Sequence, residues 1–271
     1  MAKEHLSKTG TYWIKSLPLI TMSVLMLTLA EPTLANDQIR ASLGYEYNQG
    51  DYGNETTTKE HLLPFSLSWQ HDDWAFKVSS AYINSEGLDY ISSAQDSAEV
   101  DAEQVIQHQG LSDTTWSVRK ELPWGVEQGI YWDLTFLARL PTATSSSVLY
   151  READYGILLD LFWQKGRWFP MFSLGHKWMG DGDDLNLTNI WLVSAGAQYQ
   201  FENQCSLGSI LDYQQASSSD GVPLNELMTY YSCPINGTWS VSPYFLTGFS
   251  DSSVDYGAGV QLTWRMDSPF L

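Results

Sequence analysis

Beyond residue 36 the chain alternates apolar and polar residues with a period of two. The alternation comes in segments close to the roughly ten residues that a tilted barrel strand needs. The clearest segment is the last. Tyr256, Ala258, Val260, Leu262 and Trp264 form one face, and Gly257, Gly259, Gln261, Thr263 and Arg265 the other. The pattern recurs with Ile130, Trp132, Leu134, Phe136 and Ala138 set against Asp133, Thr135 and Arg139. It recurs again with Tyr155, Ile157, Leu159, Leu161 and Trp163 against Asp154, Asp160 and Gln164. Trp191, Val193, Ala195, Ala197, Tyr199 and Phe201 likewise oppose Ser194, Gly196, Gln198 and Gln200.

The segments predict strands at 38–48, 61–70, 73–84, 111–121, 127–140, 153–164, 167–178, 189–201, 204–214, 224–234, 238–249 and 255–266. The expected fold is therefore all-β: an antiparallel transmembrane β-barrel of about 12 strands, the even number usual for single-chain bacterial barrels. Connections after the even strands are short, as at His71-Asp72, Lys165-Gly166 and Glu202-Asn203. Those after most odd strands are longer and polar, at 49–60, 83–110, 141–152, 179–188 and 215–223. Such asymmetry is expected when turns face the periplasm and loops face outward. Trp74, Trp168 and Trp239 follow short turns, while Tyr47, Trp178 and Phe249 end strands before loops, where interfacial girdles belong. A soluble β-sandwich shares the alternating code but lacks these terminal rings.

Composition sharpens this picture. Charged residues make up 17% and aromatics 14% of the 271 residues. The mean hydropathy of -0.24 is too polar for a bundle of membrane helices. A barrel accommodates both, because only alternate residues meet lipid. Residues 1–35 read as a secretory signal peptide. Lys3, Lys8 and Lys15 form a basic start, 17–30 an apolar core, and Thr33-Leu34-Ala35 a cleavage site before Asn36. A membrane anchor is the alternative, but the core is short of the about 20 residues a span needs. The barrel would then occupy 36–271. Without the leader's three lysines and two acids, 11 of the 14 basic and 30 of the 32 acidic residues remain, a net charge of -19. That balance argues against nucleic acid and toward cations or a solvated acidic surface.

If the ring-bearing faces meet lipid, the lumen receives Arg40, Lys77, Arg119, Asp133, Arg139, Asp160, Lys177, Asp212 and Arg265, with Glu46, Asp113, Glu121, Asp154 and Glu226. Arg or Lys on the lipid side near the midplane costs about 2–4 kcal/mol, which inward placement avoids. Two readings follow: a water-filled pore whose charges select solutes, or a salt-bridged, closed lumen. Cys205 and Cys233 are equidistant from a turn around Ser219, so a cross-strand disulfide near the periplasmic end is expected; two free thiols are the alternative. His61, His71, His108 and His176 have no nucleophile or metal-binding motif around them, so no enzyme, cofactor or metal is expected. The run Gly180-Asp181-Gly182-Asp183-Asp184 lacks the spacing of a calcium loop and reads as a solvated turn, and the acidic 84–110 stretch reads as a solvated loop.

Short motifs in a consistent order complete the reading: Arg139-Leu140-Pro141-Thr142, Asp154-Tyr155-Gly156, and Ser173-Leu174-Gly175 with Gly180-Asp181. They continue through Asp212-Tyr213-Gln214-Gln215, Gly248-Phe249-Ser250-Asp251 and Asp255-Tyr256-Gly257-Ala258-Gly259. With these the chain resembles a family of outer-membrane transporters grouped with the phenol-degradation MetA-pathway channels. The resemblance implies a Gram-negative outer-membrane channel for small or aromatic compounds and supplies no catalytic residues. Expected partners are outer-membrane lipid and lipopolysaccharide, a small solute and the barrel-assembly machinery, with the barrel self-contained as a monomer. The chain departs from the usual barrel ending: its final aromatic, Phe270, is followed by Leu271. A non-conducting surface barrel working through acidic loops is the alternative, and a barrel lipid hydrolase a third reading.

Overall fold

The computed structural model describes residues 37–53, 56–88, 105–144, 152–180, 187–218 and 221–267. The expected signal peptide and the acidic run 181–184 lie outside the described residues. The strands are β1 (Gln38–Gly50), β2 (Thr58–His71), β3 (Trp74–Leu88), β4 (Val105–Leu111), β5 (Thr114–Leu122), β6 (Ile130–Leu140) and β7 (Asp154–Trp163). They continue as β8 (Trp168–Trp178), β9 (Ile190–Gln200), β10 (Ser206–Gln214), β11 (Leu224–Pro234), β12 (Trp239–Gly248) and β13 (Tyr256–Asp267). Neighbours in sequence pair antiparallel, and β1 pairs with β13 from Gln38↔Asp267 to Gln49↔Tyr256, which closes the sheet.

Thirteen segments occupy twelve positions around the barrel, because β3 pairs with β4 along its outer half and with β5 along its inner half. The interruption is Ser112-Asp113. Ser112 donates its N–H to the Ala81 carbonyl at 2.8 Å, and its hydroxyl accepts the Ala81 N–H at 2.9 Å. The edge is thus stitched while the chain bends, as a bulge does. This corrects the reading of 84–110 as one loop: β3 continues to Leu88, and 105–111 returns along it. Gln107 and Gln109, two residues apart, are exposed on this hairpin, so an apolar/polar code is not required there.

The outward face is apolar. Leu43, Leu67, Trp116, Phe136, Leu211 and Phe245 are all about half exposed, for example Phe136 at 50%. Exposed large apolar side chains occur on strands all round the sheet, a distribution that suits lipid. Rings gather at both edges of the belt. At the short-turn edge Trp168 stacks edge-on with Tyr199, and Tyr199 with Phe201. At the loop edge His176 lies between Trp178 and Trp191, both ring centroids 4.8 Å away, so it is a packing histidine of the girdle. Short turns are tightened by left-handed residues, Asp72 (φ 50°) and Gly166 (φ 65°) among them.

Cys205 and Cys233, flanking the β10–β11 pairing that begins at Ser206↔Ser232, are joined as a disulfide with a Cα–Cα distance of 4.2 Å. The Tyr231 hydroxyl lies 3.3 Å from the Cys233 sulfur.

Candidate functional site: the charged lumen

The nine charged residues expected on the inner wall share parity with the small and polar residues of their strands, the phase opposite to the exposed apolar belt. Arg40 and Arg265 face one another across β1 and β13 at the short-turn end, where Arg40 also donates to the Gln38 side chain. Lys77 sits on β3 opposite Ser68 of β2 and Ser117 of β5. Arg119 on β5 donates to Asp133 of β6 at 3.2 Å and lies 3.7 Å from Glu121. Asp160 on β7 accepts the Thr135 hydroxyl at 3.5 Å.

Toward the loop end the bulge at Ser112-Asp113 has a consequence. It turns the Asp113 carboxylate to the Arg139 guanidinium, at 2.6 Å. The Nε of Arg139 donates to Asp154 at 2.7 Å, and Lys177 reaches the same Asp154 oxygen at 2.8 Å. The other Asp154 oxygen accepts the Gly180 N–H at 2.9 Å. Asp154 is fully buried. Two cations and two carboxylates from β5's approach, β6, β7 and β8 therefore form one desolvated network, in which each charge needs its partners.

The opposite arc differs. Between Lys177 and Arg265 the sequence holds no lysine or arginine, so β9 to β12 offer no basic side chain. Their inward acids are Asp212 and Glu226, directly opposed across β10 and β11. Glu46 of β1 accepts from the Tyr244 hydroxyl and from the Asn48 amide, the latter at 2.6 Å. Glu60 of β2 accepts the Tyr52 hydroxyl at 3.5 Å.

Glycines make room for this. A Cβ on Gly259 would lie 2.4 Å from the Tyr244 ring, and one on Gly208 2.5 Å from the Tyr230 ring. Both tyrosines therefore lie flat across a neighbouring strand. The Tyr230 hydroxyl donates to Gln198 at 2.7 Å.

The outer half of this arc is also apolar inside. Ile210, Met228, Tyr230, Tyr244 and Leu246 form a buried cluster with Tyr52 from the β1–β2 loop and Val254 from the β12–β13 loop. Tyr52 adopts φ 49°, uncommon for a bulky residue, and its ring reaches this inner cluster. Burial and the surrounding carboxylates, Glu60 first, push its phenol well above the ordinary range. At the same mouth, partial burial and the Asp51 carboxylate raise the Asp255 carboxyl.

Two features of the lumen were not legible in the alternation. Glu60 precedes the segment predicted to start at 61; its phase with inward Ser66, Ser68 and Gln70 was the available signal. The inward apolar residues were hidden because they interrupt the polar face they belong to.

No family model matches the chain, and no curated protein matches it. Solved structures do. The KdgM porin superposes with TM-score 0.51 at 11% identity, covering 82% of this chain and 98% of its own. The same porin in complex with disordered oligogalacturonate gives TM-score 0.51 at 12% identity, over 82% and 98%. The translocator domain of the autotransporter NalP from Neisseria meningitidis gives 0.53 at 8%, over 87% and 90%. At these identities the likeness is one of fold: the chain is a closed, twelve-position antiparallel β-barrel built like those of outer-membrane porins and translocators.

Proposed function

We propose that the protein is a narrow passive channel of the Gram-negative outer membrane for small solutes. The observation that carries this reading is the segregation of charge. The outer face is apolar, while Arg119, Asp133, Lys77 and Asp160 line the inner half of the lumen. A barrel that only had to be filled would be at least as stable with apolar side chains, because buried ion pairs seldom repay their desolvation. Charge retained inside suits a wet path with a selective wall. Glu121 and Arg119 keep 38% and 15% side-chain exposure at the short-turn end, consistent with a vestibule open toward the periplasm. The outer half is crossed by the cluster around Tyr244 and Met228, which restricts the path to small solutes. Tyr52, Tyr230 and Tyr244 place aromatic rings in the inner cluster that such a solute would have to pass. The neighbour KdgM, a porin by name, has the same fold class. Lipid and lipopolysaccharide meet the outer belt, and the assembly machinery inserts the barrel.

Swelling of liposomes carrying the protein tests the reading. Small neutral and charged solutes should enter faster than into empty liposomes, and larger oligosaccharides should not. Equal rates with and without correctly folded protein would refute it. A second reading, a closed structural barrel, is favoured by one observation: the inward cluster of Met228 and Leu246 with loop residues Tyr52 and Val254 is fully packed. The same assay separates the two.

A further inference from the structure

We propose that the acidic arc beneath Tyr52 is a binding site for the protonated amine of a small organic solute. The inference rests on the channel reading above and names the class of solute for that lumen. Asp212 and Glu226 oppose each other on β10 and β11, and Glu46 and Glu60 stand on the adjoining β1 and β2.

Asp212 and Glu226 are only partly satisfied. Glu226 is fully buried; its Oε1 accepts the Val254 N–H at 3.3 Å, whereas its Oε2 has no hydrogen-bond partner. Asp212 accepts the Ser194 hydroxyl on Oδ1, and its buried Oδ2 likewise has none. Two buried, unpartnered carboxylate oxygens on neighbouring strands are costly unless a donor meets them. The stretch between Lys177 and Arg265 supplies no basic residue to do so.

The chemistry of the missing donor can be narrowed. Among the described residues, no group of three or more His, Cys, Asp or Glu is arranged to hold a metal ion. The two unpartnered oxygens belong to directly opposed residues, and an alkylammonium group carries three N–H donors on one nitrogen, enough to meet both. Met228, Leu246 and the Tyr244 ring are packed beneath Tyr52 beside these carboxylates, and displacement of Tyr52 would uncover them for an apolar body attached to that ammonium. Tyr52, held in the left-handed region with its ring on this cluster, covers the site from the loop side. Entry from outside requires it to lift.

Calorimetric titration of the folded, full-length mature barrel in detergent tests this, with n-butylammonium as probe and n-butanol as its uncharged counterpart. The wild type should bind n-butylammonium and show no saturable heat with n-butanol. Glu226→Gln and Asp212→Asn should each weaken binding by about tenfold, the size of one lost charge-assisted hydrogen bond. Heat-dependent gel mobility reports whether each variant is folded. Absence of ammonium binding by the folded wild type overturns the proposal. So does undiminished binding in whichever of the two variants folds. Because the titration needs no current, an amine-binding barrel that fails to conduct retains this site and loses only the channel reading.

Discussion

Replacing Arg139 by methionine is the perturbation whose size follows most directly from the geometry. Arg139 neutralises two carboxylates, Asp113 at 2.6 Å and Asp154 at 2.7 Å. The side chains of these acids are 6% and 0% exposed. After the substitution Asp154 still has Lys177 at 2.8 Å and the Gly180 N–H. Asp113 keeps the Ala143 N–H at 3.0 Å but loses its guanidinium. The loss is therefore that of one buried ion pair broken from one side, about 3–5 kcal/mol. Replacing Asp113 by leucine in the same chain removes the stranded charge, so the double variant should regain most of that loss. Equilibrium unfolding in urea from lipid vesicles measures all three differences. A loss below about 1 kcal/mol for Arg139→Met, the range of solvent-exposed pairs, would show that the network is hydrated and that the packed rim is wrong.

Other expectations address separate parts of the barrel. Leu159→Arg, outward in mid-β7, should cost about 2–4 kcal/mol, whereas Trp178→Arg at the girdle should cost about 0–1; equal costs would displace the proposed lipid belt, and the same unfolding assay reads both. Gly259→Ala places a methyl 2.4 Å from the Tyr244 ring and should destabilise by about 1–3 kcal/mol through overpacking, with Tyr244→Ala in the same chain relieving the clash. Reducing Cys205–Cys233, which closes 28 residues, should lower stability by about 3–4 kcal/mol on the chain-entropy account, and mass measurement before and after reduction and alkylation reports the bond itself. If the lumen conducts, Arg119→Ala should shift the reversal potential toward cations; an unchanged potential would remove Arg119 from the selective wall.

The barrel was readable because lipid outside and polar contacts inside impose opposite demands on successive residues. Tyr256 to Arg265 shows this plainly: every outward position is apolar, and the inward ones are glycine or polar. The code fails where one of those demands lapses. Beyond the lipid belt, Gln107 and Gln109 need no apolar face, so the hairpin of β3 and β4 was read as loop. In the outer half of the lumen, Leu62, Ile83, Ile210 and Met228 face inward and make both sides of their strands apolar. The parity that sets Asp133, Asp160 and Asp212 against the exposed belt was likewise legible. The pairing of charges was not, because Asp113, Arg139, Asp154 and Lys177 meet only through strand register and through a bulge that no alternation announces. The acidic arc required the closed sheet as well: Glu46 and Glu226 are far apart in sequence and come to one wall only because β1 pairs with β13.

Single-channel recording of the protein in a planar bilayer under a salt gradient tests the central claim most directly. A selective solute path lined on one side by Glu46, Glu60, Asp212 and Glu226 predicts discrete unit currents with a reversal potential displaced toward cations. A bilayer that stays silent at every applied voltage, with folded barrel inserted, would contradict it.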